Sequence, residues 1–302
     1  MTSVRPDYSG GSTALRMQLG VRLRRLRQAR GISREAAGWE IRGSESKISR
    51  MELGRVPFKE RDVADLLTLY GVGELDRTAL LGLARRASAP AWWRQFGEVV
   101  PPWFLSYLGL EEAASLIRAY EAHFVPGLLQ TADYARAVLA REHTTASAVE
   151  IERRIELRRS RQRVLTRPDP PQFWAVLDEA VLRREVGGPD IMRAQVRALL
   201  EAAELPNVRL QIVPFHQGSA APAGFPFAIL RFTEPELPDV VYVEQLTGAV
   251  YLDKPGDVDH YAVAMERACI EAEPPERTAA ILGDKLLKTR ARQSRPARCL
   301  DW

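Results

Sequence analysis

Between Ser33 and Gly54 the chain reads SREAAGWEIRGSESKISRMELG, and its second half sets Ser44, Glu45, Ser46, Lys47, Ser49 and Arg50 close together. Hydroxyls, a carboxylate, an ammonium and a guanidinium at this spacing do noncovalent chemistry: they hydrogen-bond and ion-pair with a polar, charged surface. Bond-breaking chemistry needs other patterns. The sequence has no His-Glu-x-x-His zinc motif, no Gly-x-Ser-x-Gly nucleophile elbow, no phosphate-cradling glycine loop and no Gly-x-Gly-x-x-Gly. Asp178 and Glu179, with His216 and Glu244, are one set of acid/base groups that convergence would make reactive. Adjacent carboxylates more commonly cap helices or face water, so an enzyme is not expected. Cys269 and Cys299 stand apart from each other and from any histidine, which excludes a disulfide framework and a structural zinc site. No metal and no cofactor is expected.

The elements that must carry the polar set are short helices. Leu15, Leu19, Leu23 and Leu26 recur at spacings of four and three, with Arg16, Arg22, Arg24, Arg25 and Arg27 outside that stripe, and Gly31 stops the run. This predicts an amphipathic helix with a basic outer surface. Ser33 is a plausible N-cap for a helix through Ile41, Arg42-Gly43 makes a tight turn, and Ser44 caps a helix ending at Gly54. Further helices follow from Lys59 to Tyr70 and from Glu74 to Ala87, five in all. Gly38 supplies the small residue where two helices meet, and Ile48 with Met51 the i, i+3 apolar anchor. Together these are the parts of a helix-turn-helix, whose second helix (residues 44–53) enters the major groove of DNA.

Charge distribution agrees. Residues 1–90 carry 17 Lys or Arg against 10 Asp or Glu, a balance of +7, whereas residues 91–302 carry 26 against 29, or −3. The basic character belongs to the N-terminal third.

The run SxSKISRxExG, behind a helix and a Ser-Arg-Glu-Ala-Ala start, resembles the lambda-repressor-like (XRE-type) DNA-binding domain, a bundle of four or five helices, over residues 15–87. The resemblance implies base-edge contacts from Glu45, Ser46 and Arg50. It implies phosphate or nearby contacts from Arg34, Ser44, Lys47, Ser49 and Arg55. The turn glycine common in that family falls at Arg42, while this chain has glycine one place later, which predicts a different turn conformation.

The remainder divides by composition. Residues 1–14 read as a flexible arm rich in Ser, Gly and Thr, and residues 88–107 as a packed connector holding three of the six tryptophans. Residues 108–283 form an α+β domain. A helix is expected at 110–122, another from Thr131, and a long arginine-rich one at 149–166 whose arginines make a solvated or interhelical salt-bridged face. Strands are expected at 173–177, 208–214, 227–232, 240–244 and 249–252, the last two a hairpin. Residues 284–302 are a basic tail with six Lys or Arg and two Asp. The fold class is thus an all-α helix-turn-helix bundle plus an α+β C-terminal domain with a small, mostly antiparallel sheet.

YEAHFVPGLLQTADYARAV (120–138), FWAVLDEAVLRREVGGPDIMRAQV (173–196), NVRLQIVPF (207–215) and VVYVEQLTGAVYLD (240–253) resemble the uncharacterised domain joined to XRE-type domains in bacterial regulators of the WhiJ type, also described as antitoxin-like. That resemblance implies a transcription regulator with a small protein partner. The expected partners are double-stranded DNA, a small protein, a small-molecule ligand and a second copy of the chain. No membrane is expected, because neither a signal segment nor a spanning run is present, and the expected location is the cytoplasm, at the nucleoid. The rival reading is an antitoxin-like protein that mainly sequesters a small partner and binds DNA for autoregulation.

Overall fold

The leucine stripe of the first helix has a matching apolar wall in the four helices after it, and together they make the first core. The computed structural model describes residues 13–293 apart from 55, 90, 218–223 and 236; residues 1–12 of the expected arm (1–14) and the end of the tail (294–302) lie outside the described residues, while Thr13 and Ala14, expected in the arm, are buried in the first helical turn. Helices α1 (Thr13–Ala29), α2 (Arg34–Glu40), α3 (Glu45–Glu52), α4 (Glu60–Leu69) and α5 (Glu74–Ser88) enclose Leu19, Leu23, Ile48, Met51, Leu66 and Leu83. Leu15 and Leu26 pack half-buried against that cluster. Each fully buried leucine is worth roughly 2 kcal/mol of transfer free energy. Gly20 lets α1 lie directly on α3, since a Cβ there would sit 2.5 Å from the Met51 carbonyl oxygen.

The arginines of α1 do not all face outward. Arg16 (1% exposed) and Arg27 (7%) are buried. Arg27 is four residues beyond Leu23 and eight beyond Leu19, so helical geometry turns it inward, and a carboxylate waits for it there. Leucine spacing alone could not reveal that partner.

Contact grouping divides the chain into residues 1–114 with 231–239, and residues 115–230 with 240–302. In the first unit the tryptophan segment, part of the connector expected at 88–107, buries Trp93 and Phe96 and leads into α6 (Phe104–Ala113), which begins before the helix expected from residue 110.

The second unit is built on six strands: β1 (Leu116–Glu121), β2 (Gln172–Asp178), β3 (Val208–Val213), β4 (Phe227–Arg231), β5 (Val240–Gln245) and β6 (Gly248–Leu252). Their order in the sheet is β3-β2-β1-β4-β5-β6. All five expected strands are present, and β1 is the addition. It occupies the second half of the expected 110–122 helix, because pairing Ile117 with Phe173 and Tyr120 with Val176 overrides local helical preference. The sheet is mixed rather than mostly antiparallel: β1/β2 and β2/β3 run parallel, β4/β5 and β5/β6 antiparallel. Parallel neighbours need a crossover, and helices supply it. Helices α7 (Ala132–Glu142) and α8 (Ala148–Gln162) connect β1 to β2, and α9 (Glu179–Arg183) and α10 (Pro189–Ala203) connect β2 to β3.

On one sheet face Tyr120, Val176, Val241 and Val243 pack with Met265 and Ala268 of α11 (Pro255–Glu271). The last helix, α12 (Pro275–Gln293), is tied to β3 by the Thr278 hydroxyl, which donates to the Leu210 carbonyl at 2.6 Å. Residues 284–293, assigned from sequence to the tail, continue this helix. Among the described residues no helix is long and apolar enough to cross a membrane.

Candidate nucleic-acid interface

Capping sets where α2 and α3 begin. The Ser33 hydroxyl accepts from the Ala36 amide at 3.0 Å, and the Ser44 hydroxyl accepts from the Lys47 amide at 3.2 Å. Each satisfies one of the amide groups that a helix start leaves unpaired. Between the helices the Gly43 amide donates to the Gly38 carbonyl at 2.8 Å. A Cβ on Gly38 would lie 3.1 Å from the Ser44 carbonyl carbon, so the small residue permits the close crossing.

The turn corrects one expectation. Arg42 itself takes the left-handed conformation, with φ 51°, where relatives of the resembled family place glycine. The turn therefore keeps its left-handed residue at the expected position, and Gly43 is not the one that needs positive φ. A non-glycine residue there carries about 1 kcal/mol of local strain.

Ile48 and Met51, each 1% exposed, anchor α3 in the core. Ser44, Glu45, Ser46 and Arg50 are exposed, and Lys47 and Ser49 are half-buried. The three residues expected at base edges thus share the open side of α3. The Arg50 guanidinium lies back along the helix, its Nε donating to the Ser46 carbonyl at 3.3 Å. The Ser44 hydroxyl, although it accepts the capping bond, keeps its own proton free to donate to a phosphate oxygen.

Two other expected contacts are held by protein carboxylates. Lys47 Nζ lies 2.6 Å from Asp62 Oδ2 of α4 and so leans towards that helix. Arg34 Nε donates to Glu52 Oε2 at 3.2 Å, and its side chain stays about a third exposed. Glu45 joins neither Arg34 nor Arg50 in an ion pair among the described residues; Arg34 goes to Glu52 instead. Arg55 lies outside the described residues.

Glu52 is the residue that sequence reasoning missed. Only 4% exposed, it receives Arg27 Nε at 2.5 Å and Arg27 Nη2 at 3.1 Å in addition to Arg34. The Glu52 hydrogen bond raises the Arg27 pKa further above its ordinary value, outweighing burial. The SRxE spacing within α3 was visible, but nothing local shows that its glutamate turns inward. Trp39, at the end of α2, is the opposite case, an indole 78% exposed.

Of the acid/base set of the C-terminal unit, Glu179 and His216 come within electrostatic reach of each other, while Asp178 and Glu244 are engaged elsewhere. Asp178 caps α9, its Oδ1 accepting from the Ala180 amide at 2.7 Å. Glu179 accepts from the Phe215 amide at 3.0 Å; burial works to raise its pKa, but that bond and Arg183 outweigh it and hold the carboxyl low. Glu244 interacts instead with Arg161, Tyr242 and Arg158. No group of three or more metal-ligating side chains occurs among the described residues.

Residues 18–80 match the family model of a helix-turn-helix domain, and residues 104–284 match that of a domain of unknown function, DUF5753. No curated protein and no solved structure matches the chain.

Proposed function

The chain belongs to the family of the domain of unknown function DUF5753 and carries a helix-turn-helix DNA-binding domain before it, and from this premise we propose that it is a sequence-specific transcription regulator. The observation that carries the proposal is the division of α3: Ile48 and Met51 in the core, Glu45, Ser46 and Arg50 in the open, on a helix whose start is fixed by Ser44. A helix anchored on one side and polar on the other fits the major groove, where Arg50 would read a guanine edge and Ser46 a neighbouring base. Glu45 would accept from a cytosine amino group. Arg34, Ser44 and Ser49 would position the helix on phosphates.

The finer kinship belongs to the same proposal. The SxSKISRxExG run and its five-helix setting support an XRE-type domain, and the C-terminal segments support a WhiJ-type regulator working at the nucleoid in the cytoplasm. The C-terminal domain senses a partner protein or a small molecule, and a second copy completes a two-fold reader. Asp178 and Glu179 are both engaged in holding backbone amides, which supports a binding rather than a catalytic role.

The test is capture of sheared genomic DNA by the full-length protein, in parallel with Arg50→Ala, at about 0.15 M salt so that non-specific phosphate binding is suppressed. A shared motif lost in the variant is the expected result. Absence of enrichment by the native protein, or equal recovery of the same motif by Arg50→Ala, would overturn the reading. Loss of capture on adding a co-purifying small protein would favour the sequestering, antitoxin-like emphasis.

A further inference from the structure

Helix α11 of the second unit buries Val258, Met265 and Ala268 against the sheet and turns a continuous face the other way. Val263 and Ile270 on that face are 47% and 82% exposed. Gly256 stands seven residues before Val263, and Asp259, His260, Glu266 and Arg267 fill the interval, all exposed. At about 100° per residue every one of these positions lies within about 60° of the Val263 direction, opposite the buried side. An isoleucine held this far into water, two turns from a second exposed aliphatic on the same row, marks a contact surface.

The polar groups of the face have no use within the chain. Among the described residues Asp259, His260, Glu266 and Arg267 make no ion pair and no side-chain hydrogen bond. Their spacing explains this. Asp259 and Arg267 are eight residues apart and His260 and Glu266 six, beyond the three or four at which side chains meet along one helix. Groups of both signs, unpaired on their own helix and set beside exposed aliphatics, suit a partner surface that carries the reverse order of charge.

The same helix run antiparallel has that order. A two-fold axis through Val263, perpendicular to α11, sets each residue opposite the one equally far on the other side of Val263. Asp259, four before, then faces the partner's Arg267, four after, and His260, three before, faces the partner's Glu266, three after. Gly256 faces the partner's Ile270, and beyond its own helical backbone no group lies within 4 Å of a Cβ built there, so the isoleucine has room. Val263 meets its own copy. Each carboxylate of the face is thus opposite a guanidinium or an imidazole. A parallel alignment would instead set each charge against itself, which opposes association.

We propose that the outer face of α11 is the surface through which two copies of this chain associate, antiparallel about Val263. The assignment deepens the two-fold reader given above and rests on that reading only for its consequence at DNA. The contact runs along about 21 Å of helix. A single helix face is at the small end of stable interfaces, so the expected behaviour is a concentration-dependent equilibrium between monomer and dimer.

The experiment is sedimentation equilibrium of the full-length protein without DNA, at concentrations up to about 100 µM and about 0.15 M salt. The native chain is expected to pass from monomer to dimer over that range. Asp259→Arg and Arg267→Asp each put two like-charge contacts into a symmetric dimer and should each weaken association at least about tenfold. Mixing the two variants restores opposite charges at both contacts, as does combining the substitutions in one chain, and association close to native strength is expected in either case. Recovery on mixing also shows that both variants are folded. A native chain monomeric at about 100 µM, a dimer indifferent to either reversal, or no recovery on mixing would overturn the proposal, and the first of these would leave the face to a different protein. Association through α11 with no DNA motif captured is failure of the regulator reading, whereas a captured motif with association unaffected by the reversals is failure of this one.

Discussion

Arg27 and Glu52 form a buried two-bond ion pair, at 2.5 and 3.1 Å, that joins the last turn of α1 to the last turn of α3. Arg34 of α2 shares the same carboxylate, and Arg27 Nη1 also donates to the Ile32 carbonyl at 2.7 Å. One glutamate therefore ties together the three helices that orient the polar face of α3. A charge this deep is tolerable only when paired and hydrogen-bonded, and here several bonds meet on it.

Removing Glu52 leaves Arg27 buried without a counter-charge. Glu52→Ala is expected to lower unfolding stability by about 3 to 5 kcal/mol, read from urea denaturation with an unchanged m value. A loss below about 1 kcal/mol would show that the pair is not a principal support of the bundle.

Arg42 holds a backbone conformation that glycine adopts without strain. Arg42→Gly is expected to raise stability by up to about 1 kcal/mol, less whatever the more flexible unfolded chain takes back. Chemical denaturation decides it, and an equal or lower stability would mean that the surrounding turn relieves the strain.

Arg50 and Arg34 separate base reading from phosphate binding. Arg50→Ala is expected to cost about 1 to 3 kcal/mol on the captured site and much less on random DNA, flattening preference at one base position. Equal losses on both would place Arg50 on the backbone instead. Arg34→Ala should weaken all sequences alike and lower the salt slope by about one. An unchanged slope would confine Arg34 to its bond with Glu52.

Glu121 predicts a pH dependence. Its folded pKa of about 8 stands above the ordinary 4.5, so the native state holds a proton that the unfolded chain has already released. Its contribution is fully present below the ordinary value and is lost as pH rises through about 8; Glu142 and Glu244 are shifted in the same direction. Unfolding free energy should therefore decline across that window, and Glu121→Gln should flatten the decline. A stability that rises with pH there, or an unaltered profile in the variant, would contradict the assignment.

Much of the DNA-facing side was legible in the chain. Ser33 and Ser44 as caps, Gly38 at the crossing, and Ile48 with Met51 as anchors all follow from relations within a few residues, and the five strands follow from short runs rich in Val, Ile, Tyr and Phe bounded by Gly, Pro or Asp. Local hydrogen bonds and periodicity are short-range properties, so sequence order contains them.

What the chain order could not contain is which distant group meets which. Arg27 and Glu52 are 25 residues apart and Lys47 and Asp62 15 apart, so only packing of the helices turned two basic side chains inward or sideways. Leu116–Glu121 reads as helix until β2 lies beside it, and the parallel sheet exists because α7 and α8 carry the chain back across. Sequence by itself determined the local helices, caps and strands, because those depend on near neighbours; tertiary structure alone decided the charge pairs and the strand partners, because burial and Coulomb interactions depend on distance in space.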